Sequence, residues 1–126
     1  MYNYNSIHKA LAVGIVLAWV MFHFFTREKN DLKYNNGKPI RTGEVVENLN
    51  EGQWVWYHPN GAKNIVGNYH KGKREGVWTI YDSLGQIKMK SNYQNNLLNG
   101  EQVYFDQNGK VARTLLYKND QVVGSH

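Results

Sequence analysis

The chain has no cysteine among its 126 residues. This absence excludes a disulfide framework, a thiol nucleophile, an iron–sulfur site and a structural zinc site of the usual kind. It does not identify the redox compartment, because proteins without cysteine occur in both reducing and oxidising spaces. The fold therefore has to be held together without covalent cross-links.

The excess of positive over negative charge is small. Fifteen Lys and Arg stand against ten Asp and Glu, which gives a formal net charge of +5 at pH 7. A dedicated nucleic-acid binder concentrates far more positive charge in a patch or stripe. We therefore expect no nucleic-acid partner.

A catalytic constellation is missing as well. His58 and His70 lie twelve residues apart without a metal-spaced partner, and the carboxylates are scattered. Neither a Gly-x-Ser-x-Gly motif nor a phosphate-cradling loop occurs. We expect no enzymatic activity, no metal, no cofactor and no small-molecule substrate. The alternative is an envelope enzyme, which would lose activity when a single His or carboxylate is changed.

One apolar run stands out against a mostly polar chain. Residues 7–25 read IHKALAVGIVLAWVMFHFF, and as a helix they span about 28 Å, close to the ~30 Å hydrocarbon core of a bilayer. The run predicts a transmembrane helix after a tail at 1–6, with a cleaved signal peptide and a buried helix as alternatives. The expected membrane-interface residues are Trp19, Phe22, Phe24, Phe25 and Arg27.

Basic residues on the two sides of this run give conflicting orientations. Lys9 precedes it, while Arg27, Lys29 and Lys33 follow, which favours a cytoplasmic C-terminal side. A short N-terminal tail beside Lys9 favours the opposite orientation, and we expect the remainder of the chain on the extracytoplasmic side. Residues 26–36 are polar and without periodicity, which predicts a linker.

The rest of the chain repeats itself at a constant step. Four columns share this step: Gly52, Gly76, Gly100 and Gly124; Gly37, Gly61, Gly85 and Gly109; Tyr57, Tyr81 and Phe105; and Tyr69, Tyr93 and Tyr117. They indicate an internal repeat with units over about 52–75, 76–99 and 100–123 and a half unit at 37–51. Each unit reads as two strands around a tight turn ending in glycine, followed by a looser turn. We expect a repeat domain over 37–126 with about seven antiparallel strands in a β-meander.

The turn after Tyr57 predicts which residues share a face. If residues 59–61 form a three-residue loop with a glycine bulge, Tyr57 opposes Lys63 and Val55 opposes Ile65. The predicted core face carries Val55, Tyr57, Ile65, Tyr69, Tyr81, Ile87, Met89, Tyr93, Val103, Phe105, Val111, Leu115 and Tyr117. The opposite face carries Trp54, Trp56, Trp78 and Tyr104 among other residues.

This pattern resembles the MORN-repeat family in its bacterial variant, whose motif is Gly-x-Trp-x-x-Tyr-x-x-x-Gly. Residues 52–61 and 76–85 carry the motif, and residues 100–109 carry it more weakly because Gln102 replaces Trp. The resemblance implies a single-layer sheet of hairpins. Family members include scaffolds, membrane-junction proteins and bacterial proteins labelled antitoxins.

Taken together, the apolar run and the repeat predict a single-pass membrane protein with a mainly β repeat domain, and the resemblance implies a bacterial inner membrane. We expect a non-enzymatic scaffold that is an accessory subunit of a larger membrane complex, with other protein subunits as partners and residues 7–25 in the bilayer. The alternatives are a toxin-neutralising binding protein and a membrane-surface lipid-binding module.

Two groups of side chains are candidates for contacts. Trp54, Trp56, Trp78 and Tyr104 form a hypothetical partner-binding patch, with cover for the sheet's own second face as the alternative. Trp56 is the better candidate, because it aligns with Ile80 and Tyr104 rather than with another tryptophan. The basic residues Lys71, Lys73, Arg74, Lys88 and Lys90 form a hypothetical site for anionic lipid, with a solvated loop as the alternative.

Overall fold

The computed structural model describes residues 4–25, 27–29 and 32–126, and the side chains of residues 9, 12–21 and 32–126. These residues form one helix and ten strands. They are α1 (Tyr4–Phe25), β1 (Arg27–Lys29), β2 (Leu32–Lys33), β3 (Pro39–Val46), β4 (Leu49–Tyr57), β5 (Lys63–His70), β6 (Lys73–Tyr81), β7 (Ile87–Gln94), β8 (Leu97–Phe105), β9 (Val111–Lys118) and β10 (Gln121–Ser125).

The strands form one antiparallel sheet with a meander topology. Nine of them follow the order β1-β3-β4-β5-β6-β7-β8-β9-β10, and β2 also pairs with β3. The mainly β fold expected from the repeat is confirmed. The structure has more strands than the expected seven, because β10 adds a half unit and because β1 and β2 lie within the segment predicted as a linker.

Glycine closes the hairpins at one end of the strands, here called the glycine-turn edge (loops 34–38, 58–62, 82–86 and 106–110). In each loop the first N–H donates to the last carbonyl, at 2.7–2.8 Å. Gly61, Gly85 and Gly109 have φ of +90°, +87° and +77°, where side chains with a Cβ are disfavoured. The predicted tight turns ending in glycine are confirmed.

Two-residue turns close the hairpins at the other end of the strands, here called the two-residue-turn edge (residues 47–48, 71–72, 95–96 and 119–120). Both central residues of each turn have positive φ, between +48° and +78°, which defines type I′ hairpin turns. We predicted looser turns here. The prediction is wrong because asparagine, aspartate and glycine, which tolerate positive φ, occupy most of these positions.

The register of the first full hairpin differs from the predicted one by one residue. Tyr57 opposes Lys63 as expected, but Val55 opposes Val66 rather than Ile65. A bulge between Trp56 and Tyr57 takes up the extra residue, and the same shift recurs in the next two hairpins. A shift of one residue exchanges the faces of a strand. The predicted faces are therefore wrong for the second strand of each hairpin beyond the bulge, whereas the residue on its turn side, such as Ile87 opposite Tyr81, has the predicted partner.

Tryptophan rings packed over glycines form the core of the sheet. Trp54 is 1% exposed and lies over Gly43, and Trp78 is 9% exposed and lies over Gly67. A Cβ added to either glycine would collide with the indole ring. Each indole N–H donates to a carbonyl of the neighbouring strand at 3.2 Å, so the buried nitrogen is satisfied.

The third copy replaces both members of this pair. Gln102 occupies the repeat position that Trp78 holds in the second copy, and Ser91 occupies the position of Gly67. Gln102 Nε2 donates to Ser91 Oγ at 2.9 Å, and the Tyr104 hydroxyl donates to Gln102 Oε1 at 2.9 Å. Because the glutamine is smaller than an indole, it leaves room for the serine Cβ, and the buried polar groups satisfy each other.

The helix requires a correction of the sequence analysis. Among the described residues, no helix combines the length and the apolar character needed to cross a membrane. The uninterrupted apolar stretch covers residues 10–22, about 20 Å of helix, and polar residues precede and follow it. The predicted transmembrane helix is not supported, and the prediction of a single-pass membrane protein is wrong.

Candidate interaction surface

Five aromatic side chains form a continuous group on one face of the sheet, here called the aromatic cluster. Its members are Trp54, Trp56, Tyr69, Trp78 and Tyr93, from strands β4 to β7. Contacting rings have centroids 5.0–6.4 Å apart, and three of the pairs meet edge to face. Such pairs contribute about 0.5–1.5 kcal/mol each beyond the area that they bury.

Arginines lie against two rings of this cluster. The Arg41 guanidinium carbon is 5.7 Å from the centroid of the Trp54 ring, and that of Arg74 is 4.1 Å from the Tyr93 ring. Arg74 also donates from Nε to Asn96 Oδ1 at 2.7 Å. These cation–π contacts place fixed positive charges beside the apolar rings.

Trp56 differs from the other two tryptophans of the cluster. Its ring lies 5.8 Å from Trp54 and 5.6 Å from Trp78, but it is only half-buried. Within the described part of the chain its indole N–H has no hydrogen-bond partner, whereas those of Trp54 and Trp78 do. Trp56 therefore offers both apolar surface and a free donor to solvent.

The structure brings three of the four proposed patch residues together. Trp54, Trp56 and Trp78 are neighbours, whereas Tyr104 lies on β8, two strands or about 10 Å from the strand of Trp78 and four strands or about 19 Å from the strand of Trp54 and Trp56. Trp54 and Trp78 are buried against the sheet, so they expose little surface to a partner. Trp56 is the member of the predicted patch that both joins the cluster and reaches solvent.

The five basic residues proposed for lipid contact do not form one group. Lys71, Lys73 and Arg74 lie at the two-residue-turn edge, where Arg74 is held by Asn96. Lys90 pairs with Thr79, six residues along β6 from Lys73 and so about 20 Å away. Lys88 Nζ lies 3.6 Å from the Asp82 carboxylate, near the glycine-turn edge.

Of the predicted membrane-interface residues, the structure describes the side chain of one. Trp19 is 61% exposed on α1. The side chains of Phe22, Phe24, Phe25 and Arg27 lie outside the described residues.

Tyr69 and Tyr93 are members of the cluster that the sequence analysis assigned to the opposite face. Their repeat spacing is visible in the sequence, but it does not place them on the face of the tryptophans. The bulge at the start of each second strand was not visible, and it brings them next to the tryptophans. The glycines beneath the tryptophans also have a sequence signal, because Gly43 and Gly67 are separated by the same step as the four repeat columns.

Carboxylates in the turns have perturbed acidities. The Lys71 N–H donates to Glu51 Oε2 at 2.7 Å and His70 Nδ1 lies 3.1 Å from Oε1. The Lys71 N–H is the main cause, and His70 the next, of the lowered pKa of Glu51. The pKa of Asp82 is lowered chiefly by the Gln86 N–H. Both carboxylates therefore act as acceptors that fix turns.

Acidic and histidine side chains do not assemble into a metal site in the described residues, where no group of three lies close enough to hold an ion. The surface instead presents aromatic rings and cations, which suit non-covalent recognition.

Comparison with known families agrees with this geometry. The model of the MORN repeat variant matches three consecutive segments, residues 50–71, 74–95 and 98–119, which together cover just over half of the chain. Comparison with curated proteins finds no match. MORN repeats are non-catalytic modules that generally mediate contacts with proteins or membranes. The chain belongs to the family of MORN repeat variants.

Proposed function

We propose that the chain is a non-enzymatic interaction module that binds a protein partner through its aromatic cluster, as an accessory subunit of a larger complex. The observation that carries this proposal is Trp56, a half-buried indole with a free N–H at the centre of the cluster. Trp and Arg are enriched among the residues that dominate protein–protein binding energies.

The repeat supports a binding role for Trp56 rather than a purely structural one. The matching positions in the other units hold Ile80 and Tyr104, so the repeat itself does not demand tryptophan there. Trp54 and Trp78 already cover the glycines of the sheet and donate their indole protons internally. These two rings hold Trp56 in place, which reduces the entropy that it would lose on binding.

Partner capture with matched variants tests the proposal. The full chain, tagged at its C-terminus, is cross-linked in cells and purified, and recovered proteins are quantified by mass spectrometry. Trp56→Ala should reduce recovery of the partner and weaken its binding by about 2 kcal/mol, roughly 30-fold in Kd, and the loss of its three ring contacts should lower the melting temperature. Leu115→Ala is the control: it empties a core position outside the cluster, so it should lower the melting temperature but leave recovery of the partner unchanged.

The outcome also separates the possible partner types. A partner that arrests growth when it is expressed alone would assign the module to toxin neutralisation rather than to a scaffold. Recovery of the chain alone, or equal recovery with Trp56→Ala, would contradict the proposal.

A further inference from the structure

Leu84 departs from the pattern of the glycine-turn edge. The matching positions in the other three glycine turns hold Asn36, Asn60 and Asn108. The side-chain amides of Asn36 and Asn60 each donate to a carbonyl of the next turn, at 2.8 Å. A leucine cannot form this link between turns, and Leu84 is 85% exposed.

The leucine gains no burial in place of the lost hydrogen bond. An exposed leucine contributes little to folding, since the hydrophobic effect scales with the apolar area removed from water. A residue that departs from a local rule without structural gain is a marker of a functional position. Leu84 therefore points to contact with something outside the chain.

A shallow depression adjoins the same turn. It is lined by Ile87, Lys90 and Phe105 from β7 and β8, and by residues 86 and 107–109 of two glycine turns. Val111, which is 59% exposed, lies opposite Phe105 on β9. Apolar side chains with a lysine among them thus extend from the turn onto the sheet.

This depression lies on the face opposite the aromatic cluster. Lys90 opposes Thr79, Thr79 opposes Val66, and Val66 opposes Val55. Directly opposed residues share a face, and Val55 alternates with Trp54 and so points the other way. A ligand here would not compete with one on the cluster.

The charge around the depression is positive. Lys90 and Lys110 are exposed. The Asp82 carboxylate accepts the N–H groups of its own loop at 2.9 Å, and Asp106 does the same at 2.8 and 2.9 Å. Both carboxylates keep their negative charge but are held within their own turns, and Lys88 Nζ lies 3.6 Å from Asp82. Three lysines thus stand against two carboxylates here, and Lys90 and Lys110 face solvent.

We propose that Leu84 and the adjoining depression form a second binding surface, which takes an acidic peptide segment carrying an apolar side chain. The apolar side chain of the peptide packs on Leu84, Ile87 and Phe105. Its carboxylates pair with Lys90 and Lys110. This surface acts independently of the function proposed for the aromatic cluster.

A random 12-residue peptide display library, selected against the full chain, tests this inference. The selection should enrich peptides that combine acidic residues with an apolar one. A synthetic peptide of the enriched sequence, measured by fluorescence anisotropy, should bind Leu84→Asn and Lys90→Glu at least about tenfold more weakly than the unchanged chain.

Three variants serve as controls. Leu84→Asn restores the residue found at the matching positions, so its melting temperature should be equal or higher and a loss of binding cannot be attributed to unfolding. Lys118→Glu makes the same change of charge at the two-residue-turn edge, and Trp56→Ala changes the aromatic cluster. Both should bind the peptide normally.

Three outcomes would overturn the inference. They are selection of neutral or basic peptides, absence of any enrichment, and binding by Leu84→Asn within twofold of the unchanged chain.

Discussion

At each packed glycine, a single carbon atom decides which side chain can cover it. Gly67 has no Cβ and lies beneath the Trp78 ring, whereas Ser91 has one and lies beside the smaller Gln102. Protein interiors are packed too densely to absorb the extra atom without a shift. The two residues of each pair should therefore be energetically coupled.

A double-mutant cycle measures this coupling. Gly67→Ser should destabilise the protein by about 1–3 kcal/mol through overpacking, and Trp78→Gln by several kcal/mol through lost burial. The double variant reproduces the serine–glutamine pair of the third copy, although Ile80 stands in place of the tyrosine that donates to Gln102 Oε1, so its loss should be smaller than the sum by about 1 kcal/mol or more. Urea unfolding of the three variants and the unchanged chain gives the four free energies. Gly43→Ser with Trp78→Gln is the mismatched control, and equal additivity in both cycles would contradict the coupling.

A carboxylate in a turn makes stability depend on pH. Hydrogen bonds from Lys71 and His70 hold the pKa of Glu51 below its ordinary value of 4.5. Because the folded pKa is lower than the unfolded one, the stabilisation is present above pH 4.5 and is lost as the pH falls through the folded pKa. Glu51→Gln should therefore lower the melting temperature at neutral pH, and by less at about pH 3.

Thermal unfolding followed by circular dichroism at the two pH values checks this. The exposed Glu101 provides the control, and Glu101→Gln should change the melting temperature little at either pH. The same decrease for Glu51→Gln at both pH values would show that its charge has no part in the effect.

Among the elements, the two-residue turns differ in how well their residues suit the backbone. Glu47 has φ of +50°, and Asn95 and Asn119 hold the matching position with +52° and +48°. Asparagine tolerates this left-handed region better than glutamate. The first turn is therefore less favourable than the last two.

Glu47→Asn should stabilise the protein by about 0.5–1 kcal/mol, because it relieves the backbone of the first turn. The expected result is a higher urea midpoint with an unchanged slope. Asn95→Glu, the reverse exchange in the third turn, should lower the midpoint by a similar amount. A lower midpoint for Glu47→Asn would contradict the explanation.

The hairpins were predictable from the sequence, but their faces were not. The constant repeat step and the glycine of each tight turn identify both the strands and their order, because only glycine suits φ near +90° there. The position of the bulge after Trp56 depends on backbone geometry and cannot be predicted from any single residue type. Trp56 could be chosen as a candidate because it departs from its repeat column. Tyr69 and Tyr93 could not be placed on its face, because the bulge decides the face of their strands.

On the scale of the whole molecule, the packing units do not coincide with the sequence units. The matched segments 50–71, 74–95 and 98–119 begin before Trp54, Trp78 and Gln102 respectively. Each of these residues packs on the strand before its own segment. The stability of the sheet thus depends on the order of the segments.

Exchanging segments 74–95 and 98–119 tests this dependence. After the exchange, the glutamine of position 102 lies over Gly67 and leaves a cavity. The tryptophan of position 78 then lies over the leucine that came from position 115, and the two clash. The expected loss is about 3 kcal/mol or more in unfolding free energy. The matched control is the same exchange with the original residues kept at positions 78, 91, 102 and 115, and it should recover most of the stability. Equal stability of the exchanged and unchanged chains would rule out order dependence.

The residues beneath Trp54, Trp78 and Gln102 grow in size along the molecule, from Gly43 and Gly67 to Ser91, and the next position of the same repeat column holds Leu115. Space for a covering ring therefore narrows in one direction, and the array is tapered. Duplication of one whole repeat unit, residues 54–77, would supply the new indole with a new glycine and lengthen the sheet without strain. Duplication beyond Leu115 would not, so the taper sets where such a protein can grow.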